Sequence, residues 1–341
     1  QKSLMHGEKS ICIMGRGGSQ VSEQALVTSY QEGAKILYQR GLIEGGNLFL
    51  FKKEGLDYAI IGEVTIYLSW LNLMKMNFFH NMTLPALVDP SEDSYRAVKN
   101  MIFPFLSIDW ISFSNHLKSP VPGFMKPMLR LQAMVFEEQI KLTKSIISLD
   151  LGIPLDRIVF VPQRNYHIDL EMNVTPSGEV LLHDPQKVVD TVENLLIKRS
   201  NTEEEVQLLE EFLQEAKHEV ELHAETVALI KQTLETAGFT VKLLPLSFIA
   251  KDKKVHLNYA NGIFEKNKSK VESGARKRRK SQPAWVYFTS GPSLKSENNL
   301  HKHAVKLITN EISDLKVVTI QGLSQFIFMT HGGLRCLSLI G

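Results

Sequence analysis

The sequence has few cysteines and little net charge, and it lacks long apolar runs. Two cysteines among 341 residues cannot form a disulfide framework, so we expect a reducing compartment and a cytoplasmic location. A net charge of +2 gives no general argument for binding nucleic acid or a membrane surface. Residues 1–7 contain no apolar run typical of a signal peptide. The stretch closest to a transmembrane helix, 101–113, is interrupted by Pro104 and Asp109, so we predict no membrane span.

The composition is ordinary for a chain with a sizeable core, at 43% hydrophobic and 22% charged residues. Apolar runs and turn residues alternate in the manner of an α/β fold, and Cys12 falls in the first predicted strand as an inert core residue. We predict strands at 10–15, 48–51, 58–61, 158–161, 180–182, 239–244, 255–259, 285–288, 317–320 and 326–328. The strands 255–259 and 285–288 are expected to be neighbours in one pair.

Four helices are predicted from helical spacing and from their ends. The longest begins after Thr202, an N-cap residue followed by three glutamates, and Gly238 ends it. Its Glu-rich face is expected to be solvated. The predicted helices are 22–40, 136–151, 203–237 and 301–310.

Two stretches interrupt this alternation. Residues 70–134 are dense in apolar residues and prolines and predict an inserted, mostly helical subdomain within a single domain, 1–341. It could serve as a lid, as a surface for a protein partner or as an embellishment. The basic run 276–280 predicts a solvated hairpin loop, with binding of phosphate, nucleic acid or an import receptor as the alternatives. Because no aromatic residues interleave with it, nucleic-acid binding is disfavoured.

Three local motifs fall at the ends of predicted apolar strands. Glu-Gly-Gly-Asn at 44–47 has paired glycines, which let the backbone pass close to a neighbour. His-x-Asp at 167–169 follows the strand 158–161, and in an extended segment its two side chains would share one face. An imidazole beside a carboxylate can act as a general acid/base next to an anchor for a cation. Gly-Gly-x-x-Cys at 332–336 sets the second cysteine in a glycine turn.

In this order the motifs resemble the guanidine-modifying, or pentein, superfamily of deiminases, dimethylarginine hydrolases and amidinotransferases. Weaker features extend the resemblance over 44–341, excluding the insertion. These features are Ile-Ile-Gly at 60–62, Gly-Phe-x-Val-x-x-x-Pro at 238–245 and Tyr-Ala-Asn-Gly at 259–262. The resemblance implies an α/β pentein-type propeller of five ββαβ units around a pseudo-fivefold axis, with a helical insertion. It implies no metal and no organic cofactor.

The resemblance also implies a mechanism. Cys336 would be the nucleophile and His167 the general acid/base, with Asp169 and Glu44 as the carboxylates that hold a guanidinium group. The substrate would be a small-molecule or peptidyl guanidine, converted through a covalent thiouronium to a ureido product. An inactive pentein-fold binding module, and a different thiol activity such as amidino transfer or deamidation, stay open.

Departures from the family pattern concern the residues expected to contact substrate. Asn47 stands where relatives usually have Asp, which removes a charge from the site or its support. Arg335 stands where many have His, and it can depress the thiol pKa of the cysteine or repel a cationic substrate. Gly333 would let the backbone and the substrate approach the sulfur. The segment Glu63-Val64-Thr65 lacks the Arg-Thr pair that is common in deiminases.

We also expect that the chain begins partway through its first unit. The strand 10–15 is followed at once by the helix 22–40 and Glu44, which leaves no room for a strand pair bearing a further substrate carboxylate. The native protein would then have more residues upstream. The alternative is a divergent first unit in which Glu8 or Glu23 supplies the acid.

Overall fold

The computed structural model describes most of the chain, in nine stretches. In 2–6, 9–15, 35–39 and 126–136, and at Leu71, Met74, Lys75 and Thr330, it describes the backbone alone. The described residues are 2–6, 9–15, 35–43, 45–75, 126–165, 167–197, 202–267, 283–312 and 314–330.

The described residues divide into two compact units. The first contains those up to Ile168, apart from Phe51–Lys53, and the second contains Phe51–Lys53 and those from Asp169 onward. The division falls inside the predicted His-x-Asp motif.

Four three-stranded sheets among the described residues repeat one arrangement. Two strands adjacent in sequence lie side by side, and a third pairs with the second in parallel. The sheets are β1 (Lys2–His6), β2 (Lys9–Gly15) and β3 (Lys35–Gln39); β4 (Leu48–Lys53), β5 (Leu56–Gly62) and β6 (Ile158–Val161); β7 (Met172–Val174), β8 (Val180–His183) and β9 (Val241–Leu244); and β12 (Ile263–Lys266), β13 (Trp285–Ser290) and β14 (Leu315–Ile320). An antiparallel hairpin of β10 (Ser247–Ala250) and β11 (Val255–Asn258) precedes the last sheet.

In three of these sheets, helices lie in the crossover to the parallel third strand, and the result is a mixed α/β fold. The helices are α1 (Val64–Lys75), α2 (Lys126–Leu151), α3 (Pro185–Leu196), α4 (Glu203–Thr236), α5 (Asn298–Glu311) and α6 (Leu323–Thr330). The first two lie between β5 and β6 in the chain, the next two between β8 and β9, and α5 between β13 and β14.

Local sequence explains both ends of α4. Thr202 Oγ1 accepts from the amide of Glu205, whose carboxylate accepts from the amide of Thr202, a reciprocal capping box. At the other end Gly238 has φ of +81°, and the amide of Phe239 donates to the carbonyl of Leu234. The predicted helix is therefore confirmed at both ends.

Each unit has its own hydrophobic core. In the first unit, β5 and β6 bury Ile61 and Ile158 against Ile147 and Leu151 of α2. In the second unit, the core includes edge-to-face packing of Phe248 on both Phe212 and Tyr259, with ring centroids 6.0 and 6.2 Å apart.

Several predicted elements are wrong. Lys35–Gln39, inside the predicted helix 22–40, is a strand, because its backbone pairs in parallel with β2 from Ile11 to Gly15. The predicted strand 326–328 lies in the helix α6. There Ile327 is buried while Phe326 and Met329 are exposed, a helical pattern that a short apolar run does not reveal.

The predicted pairing of 255–259 with 285–288 is also wrong. β11 pairs with β10, and β13 pairs with β12 and β14. The two partners that were not predicted, β10 and β12, are four residues long and include polar or charged residues, so they lack a clear period-two signal.

Two further expectations need correction. The strand pair thought to have no room before residue 22 is present, since β1 pairs antiparallel with β2. The segment at His167–Asp169 is not extended, because Ile168–Leu170 forms a 3-10 turn.

The bounds of the expected insertion, 70–134, fall within helices. Trp70 lies inside α1, and α2 begins before residue 134. Residues 76–125 of the expected insertion lie outside the described residues, so its fold and role stay predictions.

Candidate functional site

The glycine turn at 45–47 lies directly against His167. A Cβ atom placed on Gly46 would be 2.3 Å from Nδ1 of the imidazole and 2.5 Å from its Cγ. Because real Cβ atoms do not approach other atoms this closely, only glycine leaves room for the ring. Gly45 has no neighbour within 4 Å of its own Cβ position. The second glycine of the pair is thus the one that the histidine requires.

Asn47 ties the same turn to the polypeptide around His167. Its side chain is fully buried, and its Oδ1 accepts from the backbone amide of Ile168 at 3.2 Å. The same oxygen accepts from Nε2 of Gln163 at 2.7 Å. The Ile168 amide belongs to the peptide group that joins His167 to Ile168, so the bond to Asn47 holds the orientation of that peptide group.

Gln163 is a residue that sequence reasoning missed. Its Oε1 accepts from the amide of Val64, the first residue of α1, at 2.8 Å. Its Nε2 also donates to the carbonyl of Asn165 at 3.1 Å. The side chain lies over Gly62, where a Cβ would be 2.2 Å from Oε1. No local motif marks this residue, because its partners come from three separate segments.

A desolvated carboxyl group follows Gly62. Burial raises the pKa of Glu63, and the positive charge of Lys144 partly offsets that rise. Burial, with a smaller contribution from Glu63, also raises the pKa of Tyr67 on α1, so its phenol stays protonated at neutral pH. Two groups near the start of α1 thus have pKa values that burial raises.

Asp169 is buried, with 1% of its surface exposed, and it belongs to the second unit. The turn that carries it is held at its end by Asn258, whose Nδ2 donates to the carbonyl of Leu170 at 3.2 Å. The Oδ1 of Asn258 accepts from the amide of Asn261 at 3.0 Å. Buried amide side chains thus order the chain that follows the candidate carboxylate.

The Tyr-Ala-Asn-Gly segment at 259–262 has a structural explanation in the second unit. Nδ2 of Asn173 donates to the carbonyls of Ala260 and Gly262, at 2.7 and 2.9 Å. A Cβ on Gly262 would be 2.4 Å from the ring of Tyr287, whose hydroxyl donates to the carbonyl of Tyr259. The glycine is needed there for close packing.

A second polar cluster lies in the same unit and was not predicted. Burial raises the pKa of Tyr259 and lowers that of His301, and the phenol hydroxyl forms a hydrogen bond with Nδ1 of the imidazole, 2.9 Å away. Nε2 of His301 then faces Thr319 Oγ1 at 3.3 Å. Burial also raises the pKa of the Glu297 carboxyl, which accepts from the amide of Leu294 at 2.8 Å. Each of these groups has a hydrogen-bond partner within the unit, which favours a structural role.

Several predicted site residues lie outside the described residues: Glu44, Gly333, Arg335 and Cys336. The expected approach of the cysteine sulfur to His167 therefore stays a prediction, and the basic run 276–280 lies outside as well. Among the side chains that are described, no group of three or more His, Cys, Asp or Glu could hold a metal ion. No helix in the described part of the chain is long and apolar enough to cross a membrane.

Comparison with known proteins gave two similar solved structures. No protein-family model matches the chain, and no curated protein matches it. A protein assigned as a peptidyl-arginine deiminase aligns with a TM-score of 0.41 and 10% identity, covering 98% of this chain and 71% of that one. The agmatine deiminase of C. jejuni, solved as a cysteine-to-serine variant with substrate bound, aligns with a TM-score of 0.39 and 10% identity. That alignment covers 96% of this chain and 66% of the other. Both of these structures are described as deiminases.

Proposed function

We propose that this chain is a cysteine-dependent hydrolase of guanidine or amidine groups, acting on arginine or an arginine-derived substrate. The observation that carries the proposal is the contact of the His167 imidazole with Gly46. Two motifs far apart in sequence meet there, and the hydrogen bond from Ile168 to Asn47 reinforces the contact. A histidine held against backbone, beside a candidate carboxylate two residues later, suits a general acid/base next to a cation.

The chemistry of the substrate explains the residues required. A guanidinium group is planar and protonated near neutrality, so its central carbon is a poor electrophile. In the proposed mechanism, Asp169 and Glu44 hold its nitrogens and offset its charge. The burial of Asp169 fits this role, because a buried carboxylate favours a cationic partner.

The covalent steps follow from these roles. The thiolate of Cys336 attacks the central carbon, and the bond to one nitrogen breaks as His167 gives that nitrogen a proton. Ammonia or an amine leaves, and a thiouronium remains on the sulfur. His167 then takes a proton from water, and the resulting hydroxide attacks the carbon. The carbon–sulfur bond breaks, and the new hydroxyl group loses its proton to solvent. The products are a ureido group and the free thiolate.

The remaining predicted residues support this chemistry. Gly333 would allow close approach to the sulfur, and Arg335 would favour its thiolate form. For Asn47, the complete burial of the side chain and its two accepted hydrogen bonds favour support of the His167 segment over direct contact with substrate.

We extend the proposal to the architecture, as five ββαβ units of a pentein-type propeller around a pseudo-fivefold axis. The repeated arrangement in four sheets supports it, with the hairpin β10–β11 as part of the remaining unit. The segment 70–134 would then be an insertion between β5 and β6, with a lid or a protein-partner surface as its candidate roles.

The test uses the two cysteines as a matched pair. The purified protein is incubated with arginine, agmatine, a peptidyl arginine and a methylated arginine, and ureido product and released ammonia or amine are measured. Cys336→Ala should abolish turnover, while Cys12→Ala should leave it unchanged. The loss should come with a change in unfolding free energy below about 2 kcal/mol, typical outside a core.

Three results would argue against the proposal. Full activity in Cys336→Ala would rule out this nucleophile, and preferential labelling of Cys12 by a haloacetamidine would count against it. Binding of a guanidine without product would favour a binding module. Product that appears only with an added amine acceptor, or ammonia released from an amide, would favour transfer or deamidation.

A further inference from the structure

We propose that Gln163 is a positioning residue which, through Asn47, sets the orientation of the peptide group that follows His167. The kinetic consequence rests on the proposed function. The hydrogen-bond consequence does not, and it can be measured on the protein in the absence of any substrate.

Two backbone donors fix the direction of the hydrogen bond between Gln163 and Asn47. The amide of Val64 can only donate, so the end of the Gln163 side chain that faces it is Oε1. The amide of Ile168 can only donate, so Asn47 presents Oδ1. Nε2 of Gln163 therefore meets Oδ1 of Asn47 as donor to acceptor, at 2.7 Å. The arrangement has one consistent set of orientations.

The bonds join three segments at one residue. Gln163 contacts the start of α1 through Val64, the glycine turn through Asn47, and its own loop through the carbonyl of Asn165. The glycine turn contacts His167 through Gly46 and the peptide group beside it through Asn47. Loss of the Nε2 donor would remove the bond from Gln163 to Asn47 while the bond to α1 survives.

Gly62 leaves room for the amide group of Gln163. A Cβ atom on Gly62 would be 2.2 Å from Oε1, so the Gln163 side chain occupies the space that a larger residue would need. Gly62 has no positive φ, so an alanine there meets the glutamine side chain without backbone strain. Gly62→Ala is thus a second way to move Gln163 without changing its chemistry.

The functional consequence follows from distance. A general acid/base must reach its proton at hydrogen-bond distance, and a misplacement of about 1 Å can lower the rate about 10²-fold. A residue that acts only by positioning should lower kcat and leave KM nearly unchanged, because substrate-binding groups stay in place.

The experiment compares Gln163→Glu with Gln186→Glu in the full chain. The first exchanges the Nε2 donor for an oxygen that repels Oδ1 of Asn47. The second makes the same chemical change at an exposed residue of α3, whose Nε2 bonds Asp190. Amide hydrogen exchange of Ile168 is followed by NMR, with the amide of Val180, bonded to the Thr240 carbonyl, as reference.

We expect Ile168 exchange to become at least about 10-fold faster in Gln163→Glu and in Gly62→Ala, with Val180 unchanged. Gln186→Glu should match the parent protein. Turnover of a guanidine should fall about 10- to 100-fold in kcat, with KM within about 3-fold. Unchanged Ile168 exchange in both site variants would overturn the proposal, whatever the activity. Accelerated exchange in a protein that turns over no guanidine would uphold the hydrogen-bond link and reject the proposed function instead. Accelerated exchange with unaltered kcat would overturn the positioning role.

Discussion

Replacing Gly46 by alanine should displace the His167 imidazole and lower activity, whereas the same change at Gly45 should not. The Gly46 Cβ would be 2.3 Å from Nδ1, while ordinary van der Waals contact begins near 3.4 Å, so the ring must move by about 1 Å. A displacement of this size lowers kcat/KM about 10²-fold, or about 2.7 kcal/mol in activation free energy. Neither glycine has a positive φ, so backbone strain does not separate the two variants.

Stability should also separate this matched pair. Overpacking in Gly46→Ala should lower the free energy of unfolding by about 1 to 3 kcal/mol. Gly45→Ala meets no atom within 4 Å and should raise it by up to about 1 kcal/mol, because alanine restricts the unfolded chain. Denaturant unfolding, steady-state kinetics and the His167 ring signals in NMR spectra measure the three effects. Equal kinetics and equal His167 signals in the two variants would refute the contact from which this argument starts.

Two other predictions concern stability. The raised pKa of Glu63 means that the native state binds more protons than the unfolded state above the ordinary value of 4.5, so stability should fall as pH rises from there through the raised value. In a series of denaturation curves at different pH, Glu63→Gln should remove that fall in stability, whereas the exposed control Glu265→Gln should keep it. The same pH dependence in both variants would exclude Glu63 as the source of the fall. Asn173→Ala removes the amide that donates to two buried carbonyls, and should lower the unfolding free energy by about 2 to 3 kcal/mol. The exposed Asn194→Ala, which loses one bond to the Asp190 carbonyl, should change it by about 0.5 kcal/mol or less, and a similar loss in both would contradict the reasoning.

Local signals in the sequence were sufficient where an element's ends depend on neighbouring residues. The capping box at Thr202 and the left-handed Gly238 both act within a few residues, and the helix between them was predicted. The strand Ile158–Val161 was likewise predicted, because a run of apolar residues bounded by turns carries its own signal. The motif residues His167 and Asn47 could be chosen as candidates from their chemistry and surroundings in the chain.

Tertiary structure decided what those candidates touch. The strand Lys35–Gln39 exists because β2 offers a parallel partner, and no local pattern encodes that partner. The 3-10 turn after His167 has its first amide bonded to Asn47, so the expected extended geometry gave way to a long-range hydrogen bond. Gln163 and the difference between Gly45 and Gly46 depend on atoms brought together by folding. Secondary-structure propensity and residue spacing are properties of neighbouring residues. These contacts form between segments that are distant in the chain, and only folding brings them together.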